Sequence, residues 1–233
     1  MRRRRMQTRV AGWVLALSLA YGAFAYLIAP AFWSWLDRGN IALPDAMVTT
    51  TPQGIPGDPI NVGLVGSKTE LLRALDAAGW SAADAITWRS SLEIGESVLF
   101  DRPYSDAPVS TLVFEGRKQD LAFEKPVGES ADRRHHVRFW LMPDPAPDGR
   151  PLWLGSASFD RGVGFSHDTG QITHHIWPDL DAERDFLIGG LEAAGVLAST
   201  YSETGVGPTK TGRNGGGDPY FTDGMATIGI LRP

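Results

Sequence analysis

An uninterrupted run of 27 uncharged residues, at positions 10–36, constrains this chain more than any other feature of its sequence. A helix needs about 20 apolar residues to cross the hydrocarbon core of a bilayer, so the run is long enough even when tilted. Five arginines precede it, and none of the first 36 residues is acidic. Because basic flanks stay in the cytoplasm, we predict a single transmembrane helix whose N-terminus lies inside.

Aromatic residues in the run suit a membrane anchor, because Trp and Tyr concentrate at the two membrane interfaces. A cleavable signal peptide is the alternative, with a small-residue cleavage site at Ala23 to Ala25. The apolar run continues well past that site, which favours a retained anchor. Both interpretations export the rest of the chain. We assign five residues to the membrane: Trp13, Tyr21, Tyr26, Trp33 and Trp35.

The part of the chain beyond the run is acidic, with 17 basic against 27 acidic residues and a net charge of −10. Such a body repels phosphate backbones, so nucleic acid is not an expected partner. The chain has no cysteine, which excludes a disulfide scaffold, thiol catalysis and any cysteine-ligated metal. The absence of cysteine decides nothing about the compartment. From the orientation of the anchor we expect a protein of the bacterial inner membrane whose C-terminal domain lies in the periplasm.

The order of local patterns predicts an α+β domain with a mixed sheet and two strand–helix units. A short apolar run at 60–65 precedes a capping box formed by Ser67 and Glu70, and a short strand at 172–176 precedes Asp179 and Asp181, either of which offers an N-cap oxygen. Two strands, 137–142 and 152–159, flank a loop rich in proline. The expected organisation is a basic tag at 1–9, a helix at 10–36, a linker at 37–58 and a domain at 59–233.

All five histidines fall between residues 135 and 175, and imidazole serves both metal binding and acid–base chemistry. Strand alternation puts His135 and His174 on core-facing positions and His136 and His175 on polar faces. The catalytic candidates are His136, His167, Asp168 and His175. The alternative is that these histidines are structural, each bonded to a carbonyl or a carboxylate.

Arginines are concentrated in the same middle stretch, and Arg binds phosphate or carboxylate through paired hydrogen bonds. We take Arg138 and Arg161 as candidate ligand-binding residues. The alternative is ion pairing with the many acidic neighbours. The sequence does not show whether the domain binds a metal ion or a cofactor, so the identity of any metal or cofactor is unknown.

The exported part resembles the LssY C-terminal domain family over roughly residues 58–231. Such domains occur alone behind a membrane helix, or fused to DedA-type or type 2 phosphatidic acid phosphatase membrane domains, and the resemblance implies no established activity. The segments that carry it are Gly-Asp-Pro-Ile-Asn-Val-Gly (57–63), Gly-Arg-Lys-Gln-Asp-Leu-Ala-Phe-Glu-Lys-Pro (116–126), Arg-His-His-Val-Arg-Phe-Trp (134–140), Leu-Trp-Leu-Gly-Ser-Ala-Ser-Phe-Asp-Arg-Gly (152–162), His-Asp-Thr-Gly-Gln-Ile-Thr-His-His-Ile (167–176) and Asp-Ala-Glu-Arg-Asp (181–185).

Two functional hypotheses follow from these patterns. The first is an accessory or ligand-binding module in envelope lipid or secretion processes, with the lipid bilayer and a membrane lipid or envelope protein as partners. The second is a histidine- or metal-dependent hydrolase that acts at the membrane surface. The sequence does not decide whether the domain is an enzyme.

Overall fold

A mixed eight-stranded sheet is the centre of the folded part in this computed structural model, which describes residues 2–29, 31–32, 47–83, 110–128, 133–205 and 210–233. The strands are β1 (Val48–Thr50), β2 (Pro56–Pro59), β3 (Val62–Val65), β4 (Ser81–Ala82), β5 (Val113–Phe114), β6 (Arg117–Lys118), β7 (Leu121–Pro126), β8 (Arg134–Leu141), β9 (Leu152–Phe165), β10 (Ile172–Ile176), β11 (Leu197–Thr204), β12 (Thr211–Arg213), β13 (Pro219–Phe221) and β14 (Met225–Leu231). The helices are α1 (Arg2–Ala23), which continues as a π-helical turn (Phe24–Ile28), α2 (Lys68–Ala77) and α3 (Leu180–Ala193).

The main sheet has the order β11-β14-β3-β9-β8-β7-β4, and β10 pairs with the C-terminal half of β9. Strands β14 and β3 are parallel, and the other described pairs in this sheet are antiparallel. A smaller sheet has the order β2-β1-β5-β6, and β12 pairs with β13. This arrangement confirms the predicted α+β class with a mixed sheet.

The main sheet is buried on both faces, which explains why β3 and β8 consist mostly of buried residues. Helices α2 and α3 cover one face, where Leu71 and Leu187 meet Val137 and Phe139 in one apolar cluster. The small sheet covers the other face through a second apolar cluster that includes Phe114, whose ring packs edge-on against Trp140 at 5.9 Å. Consequently any polar side chain on either face of β8 is enclosed.

The two predicted strand–helix units are present as β3–α2 and β10–α3. Ser67 accepts a hydrogen bond from the Glu70 amide, and the Glu70 carboxylate accepts one from the Ser67 amide, as the capping box requires. Asp179 caps α3 by accepting from the Ala182 amide. The proline-rich loop joins the antiparallel strands β8 and β9, as expected of a hairpin.

One stretch differs from the sequence-based expectations. The linker range 37–58 includes β1 and most of β2, because backbone hydrogen bonds between the two strands order a segment that has little side-chain periodicity. Ser81 and Ala82 form the edge strand β4, which pairs with β7, and residues 84–109 lie outside the described part. The domain boundaries themselves remain predictions.

The N-terminal helix is long and apolar enough to cross a membrane over Arg9–Ile28, with a mean hydropathy of 1.7. Three of the expected membrane residues, Trp13, Tyr21 and Tyr26, lie exposed on this helix. Trp33 and Trp35 fall outside the described residues. A single-pass anchor therefore agrees with the helix by length and composition.

Candidate functional site

A row of basic residues lies on the face of β8 that the small sheet covers. Because alternate residues of a strand share a face, Arg134, His136 and Arg138 lie side by side there. Each is at most 4% exposed. Their cross-strand partners on β9 are Asp160, Ser158 and Ser156. Buried charges require opposite charges or hydrogen bonds nearby to offset the loss of water.

Arg134 is held between two buried carboxylates. Its Nη1 lies 2.6 Å from Glu124 Oε2 on β7, and its Nε lies 3.1 Å from Asp160 Oδ2 on β9. The guanidinium therefore ties three neighbouring strands together in the middle of the sheet. Breaking such a pair is costly, because it leaves an uncompensated charge in a region of low dielectric constant.

His136 lies between Asp160 and Ser158. Its Nδ1 is 3.2 Å from Asp160 Oδ2, and its Nε2 is 2.7 Å from Ser158 Oγ, which donates to Asp58 Oδ2 at 2.9 Å. Burial disfavours the charged imidazole, but the carboxylates of Asp160 and Asp58 together outweigh it and raise the pKa of His136. Burial likewise opposes ionisation of Asp160, yet the charges of His136 and His174 hold its pKa far below the usual value.

Ser158, His136 and Asp160 have the residue types and hydrogen-bond order of a hydrolytic triad. Two observations argue against that role. Ser158 is fully buried, and the raised pKa of His136 favours the imidazolium, which donates to Ser158 Oγ and cannot accept its proton. The three residues are therefore better understood as a charge network than as an activated nucleophile.

A cavity of about 380 Å³ lies next to this network. Its apolar lining includes Leu112 and Ile176. The charged lining residues are Asp58, Arg134, His136, Arg138, Asp160 and His174, and the uncharged polar ones are Thr51, Gln53, Ser110, Thr111, Gln171, Thr173 and Asn214. The volume and the mixed lining suit a small polar molecule that carries some apolar surface.

Arg138 is one of the cavity residues that carry a buried nitrogen without a hydrogen bond in the described part of the chain, as His136 does at Nδ1. Its Nε donates to the Ser110 carbonyl at 2.9 Å, and its Nη1 lies 3.5 Å from Asp58 Oδ2. Although buried, Nη1 makes no hydrogen bond to any part of the chain that the structure describes. A buried guanidinium N–H without an acceptor costs free energy, so Nη1 is a donor that a ligand oxygen would satisfy.

A second cluster contains His167, His175 and Asp218. Asp218 is fully buried before β13, and its Oδ1 lies 2.9 Å from His175 Nδ1 and 3.6 Å from His167 Nε2. The two imidazole rings are 5.2 Å apart. Arg161 Nη2 lies 3.8 Å from the same oxygen. The cluster adjoins the cavity, since the loop that carries Asp218 also supplies Asn214 to the cavity lining.

The structure separates the sequence-predicted site residues into two groups. His136 and Arg138 lie in the cavity, whereas His167, His175 and Arg161 gather around Asp218. Asp168 is next to this second group, because a Cβ on Gly217 would lie 2.9 Å from its carboxylate. Whether these residues bind or catalyse stays a prediction.

His174 does not face the core as expected, and instead lines the cavity 4.0 Å from Asp160. His174 still shares a face of β10 with Ile176, as strand alternation predicts, but this face borders the polar cavity, because Ile176 pairs with Asp160. A β-bulge lies beside it in β9, where His175 pairs with Gly162 and Arg161 has no opposite residue. His135 does pack among core residues, stacked on Phe186 and bonded to Glu183.

Sequence reasoning missed Asp58 and Asp218, and it considered Asp160 only among the acidic neighbours that could pair with the arginines, as Asp160 does with Arg134. The polar alternation Ser156, Ser158, Asp160 on a strand expected to be buried was a usable indication of a polar face. Asp58 and Asp218 lie more than 40 residues from the histidines they contact, so no local pattern could identify them.

The cavity also lies close to the anchor helix. Gln171 lines the cavity, and its Nε2 donates to the Ala25 carbonyl at 2.9 Å. Tyr21 donates to the Gly170 carbonyl, and Tyr26 accepts from the Ile172 amide. The β9–β10 turn therefore contacts the C-terminal part of the apolar helix.

A family model described as LssY C-terminus matches residues 40–226, which is most of the chain. The chain therefore belongs to this family, as its sequence segments suggested. Comparison with curated proteins and with solved structures gave no match.

Proposed function

We propose that this member of the LssY C-terminus family is a membrane-anchored, ligand-binding domain that takes a small anionic ligand into the cavity beside β8. The observation that carries the proposal is Arg138, a buried arginine that lines this cavity and whose Nη1 makes no hydrogen bond within the described residues. A phosphate or carboxylate oxygen is the acceptor that a guanidinium binds best.

The charges around the cavity favour a ligand of low net charge. Three basic groups, Arg134, Arg138 and the imidazolium of His136, stand against the lining carboxylates Asp58 and Asp160 and against Glu124, which pairs with Arg134 outside the lining. The balance is close to neutral, so one additional anionic group is tolerated while a highly charged polyanion is not. The hydroxyl and amide groups of the lining suit a polar skeleton, and Leu112 and Ile176 suit an apolar part.

The contacts between the anchor helix and the β9–β10 turn support a ligand taken from the membrane surface. Gln171 and Thr173 line the cavity, and both belong to the segment that meets residues 21–26 of the helix. An envelope lipid with a phosphate group fits these features, and an accessory role in envelope lipid or secretion processes follows. The basic N-terminus supports an inner-membrane protein whose domain lies in the periplasm.

Thermal unfolding of the full chain in detergent micelles tests the ligand proposal. The probes are a short-chain, water-soluble phosphatidic acid and a phosphatidylcholine of the same chain length. At about a hundredfold excess over Kd, the phosphatidic acid should raise Tm by about 5–10 °C. Arg138→Gln should abolish the rise, whereas the control Arg117→Gln, which changes an exposed arginine, should keep it. An equal rise in the two variants, or none in the wild type, would contradict the proposal.

The proposed topology has a separate test. Alkaline phosphatase fused after Pro233 should be active in cells, because this reporter folds only outside the cytoplasm, while green fluorescent protein at the same position should stay dark when exported through the general secretory route. The opposite pattern would place the domain in the cytoplasm.

A hydrolase that acts at the membrane surface is the second candidate. It is favoured by the approach of His167 and His175 to one buried carboxylate, with Asp168 beside them, because two imidazoles and a carboxylate can activate water. His136 would not take part at that position, since it lies in the cavity network. If the wild type turns over a phosphoester probe and His167→Ala does not, the hydrolase is favoured. If the wild type shows no turnover, the ligand-binding domain is favoured.

A further inference from the structure

We propose that His167, His175 and Asp218 form a binding site for one divalent transition-metal ion, with zinc as the preferred ion. The three residues come from three segments: the β9–β10 turn, strand β10 and the loop before β13. Their two nitrogens and one carboxylate oxygen lie within 4.8 Å of one another. The site stands independently of the proposed cavity ligand, because it uses none of the residues around Arg138.

The distances are close to those of a zinc site. Zinc lies about 2.0–2.2 Å from its nitrogen and oxygen ligands in a tetrahedron, which separates neighbouring ligand atoms by about 3.3–3.6 Å. His175 Nδ1 is 2.9 Å from Asp218 Oδ1, and His167 Nε2 is 3.6 Å from it. His167 is 58% exposed, so its ring has the freedom to complete the geometry.

Two of the ligands are held in place by their surroundings. Asp218 Oδ2 accepts from the Ile176 amide at 3.1 Å, which leaves Oδ1 directed at both imidazoles. The ring of His175 lies over Gly164, where a Cβ would come within 2.5 Å of its Nε2. The His167 amide donates to the Gly216 carbonyl, which links the two loops of the site. Ligands that are already positioned lose little entropy when an ion binds.

The ligand set selects the class of ion. Magnesium and calcium prefer shells made of oxygen, and here only one carboxylate is available within the cluster. Two imidazoles and one carboxylate suit zinc and its neighbours in the first transition row. Three protein ligands leave a fourth position for water, and the exposed side of His167 gives the ion a path from solvent.

Arg161 acts as a competitor at this site. Its Nη2 lies 3.8 Å from Asp218 Oδ1, and its side chain is 46% exposed, so it neutralises the carboxylate without being fixed there. An arriving divalent ion repels the guanidinium and displaces it into solvent. Removal of this charge should therefore strengthen metal binding.

Equilibrium dialysis of the full chain against Zn²⁺, followed by metal analysis, tests the inference. The protein should carry a histidine-free purification tag and stay in detergent micelles. We expect one zinc per chain, and at least about a tenfold loss of affinity in His167→Ala, since even partners outside the coordination shell cost that much. Because His167 is exposed, this variant should keep its melting temperature. The control His135→Gln changes a histidine that packs on α3, so it should bind zinc as the wild type does.

Two further variants test the roles of Arg161 and Asp218. Arg161→Gln should bind zinc more tightly than the wild type. When Co²⁺ is loaded in place of zinc, the wild type should show the strong visible absorption of a four-coordinate site, and Asp218→Asn should not. Substoichiometric zinc in the wild type, or equal affinities in the wild type and His167→Ala, would overturn the inference. Neither outcome bears on anion binding at Arg138, so failure here is distinguishable from failure of the proposed function.

Discussion

Three buried basic residues on alternate positions of one strand are an expensive choice for a core. Moving an ion out of water costs several kcal/mol even after relaxation, and apolar residues of similar size often stabilise a fold as well or better. Arg134 and His136 lie within 3.2 Å of a carboxylate oxygen, whereas Arg138 Nη1 lies 3.5 Å from Asp58 Oδ2 and makes no hydrogen bond within the described residues. Arg138 therefore has the weakest compensation of the three, and a bound ligand would explain best why an arginine is kept at this position.

Removal of Glu124 should show how much the paired part of this row contributes to stability. Glu124→Ala leaves the buried Arg134 with one carboxylate, Asp160, so we expect the free energy of unfolding to fall by about 3–5 kcal/mol. Urea denaturation of the full chain in detergent, followed by tryptophan fluorescence, measures the change.

An ion pair with an exposed partner provides the matched control. Asp185 pairs with Arg184 Nε at 2.9 Å but is 68% exposed, so Asp185→Ala should cost no more than about 1 kcal/mol. Similar losses in the two variants would mean that burial does not set the strength of the Glu124 pair.

The raised pKa of His136 predicts a pH dependence of stability. The folded chain holds this proton more tightly than the unfolded chain, so the contribution is complete below about pH 6.5 and is lost as pH rises through the folded value. Asp160 and Asp58 favour the charged imidazole, and Arg138 opposes it. Urea midpoints measured from pH 6 to 9 should decline in the wild type and decline less in His136→Gln. Parallel curves for the two proteins would show that His136 does not titrate in this way.

Some of the site was predictable at this scale and some was not. The period of two along β8 correctly placed His136 and Arg138 together, because alternation is a local property of a strand. Their acidic partners Asp58 and Asp160 come from other strands, and only the pairing of the sheet brings them near. The sequence therefore indicates a polar face on β8 without indicating which acidic residues neutralise its basic side chains.

At the scale of elements, the alternation of β10 decides how the histidines are divided. His174 shares a face with Ile176 and joins the cavity, whereas His175 lies on the opposite face and joins Asp218. The period of two therefore separated the two histidines correctly. What surrounds each face was not predictable, because Asp160 and Asp218 approach β10 from β9 and from the loop before β13.

Two glycines on β9 give a matched test of how tightly this part of the sheet is packed. A Cβ on Gly164 would lie 2.5 Å from His175 Nε2, whereas a Cβ on Gly162 meets nothing within 4 Å. We expect Gly164→Ala to lower the free energy of unfolding by about 1–3 kcal/mol through overpacking. Gly162→Ala should change it by no more than about 0.5 kcal/mol.

The same two variants report on the position of the His175 ring. Gly164→Ala should weaken zinc binding because the imidazole must move away from Asp218, while Gly162→Ala should leave zinc binding unchanged. If Gly164→Ala is as stable as Gly162→Ala, the ring has space that the structure does not show.

At the scale of the whole molecule, the apolar helix and the domain are not independent. The length, charge and aromatic content of the helix were readable from sequence because a bilayer constrains composition directly. Its contact with the β9–β10 turn was not readable, because Tyr21 and Gly170 are 149 residues apart. This contact relates the cavity to the membrane, and two exposed apolar residues of the turn, Phe165 and Ile172, lie beside it.

The position of this turn predicts that it lies in the membrane interface. Phe165 is 64% exposed and its ring packs edge-on against Tyr21, on a helix that is long enough to span the bilayer. Apolar side chains at such a place bury their surface among the headgroups and upper acyl chains.

The chain has no cysteine, so Phe165→Cys can be labelled alone with an environment-sensitive fluorophore in lipid nanodiscs. We expect a blue-shifted emission that lipid-soluble quenchers reduce strongly. Leu72→Cys, at a partly exposed position on α2, should show water-like emission and little quenching. Identical spectra at the two positions would contradict the prediction that the β9–β10 turn lies in the membrane interface.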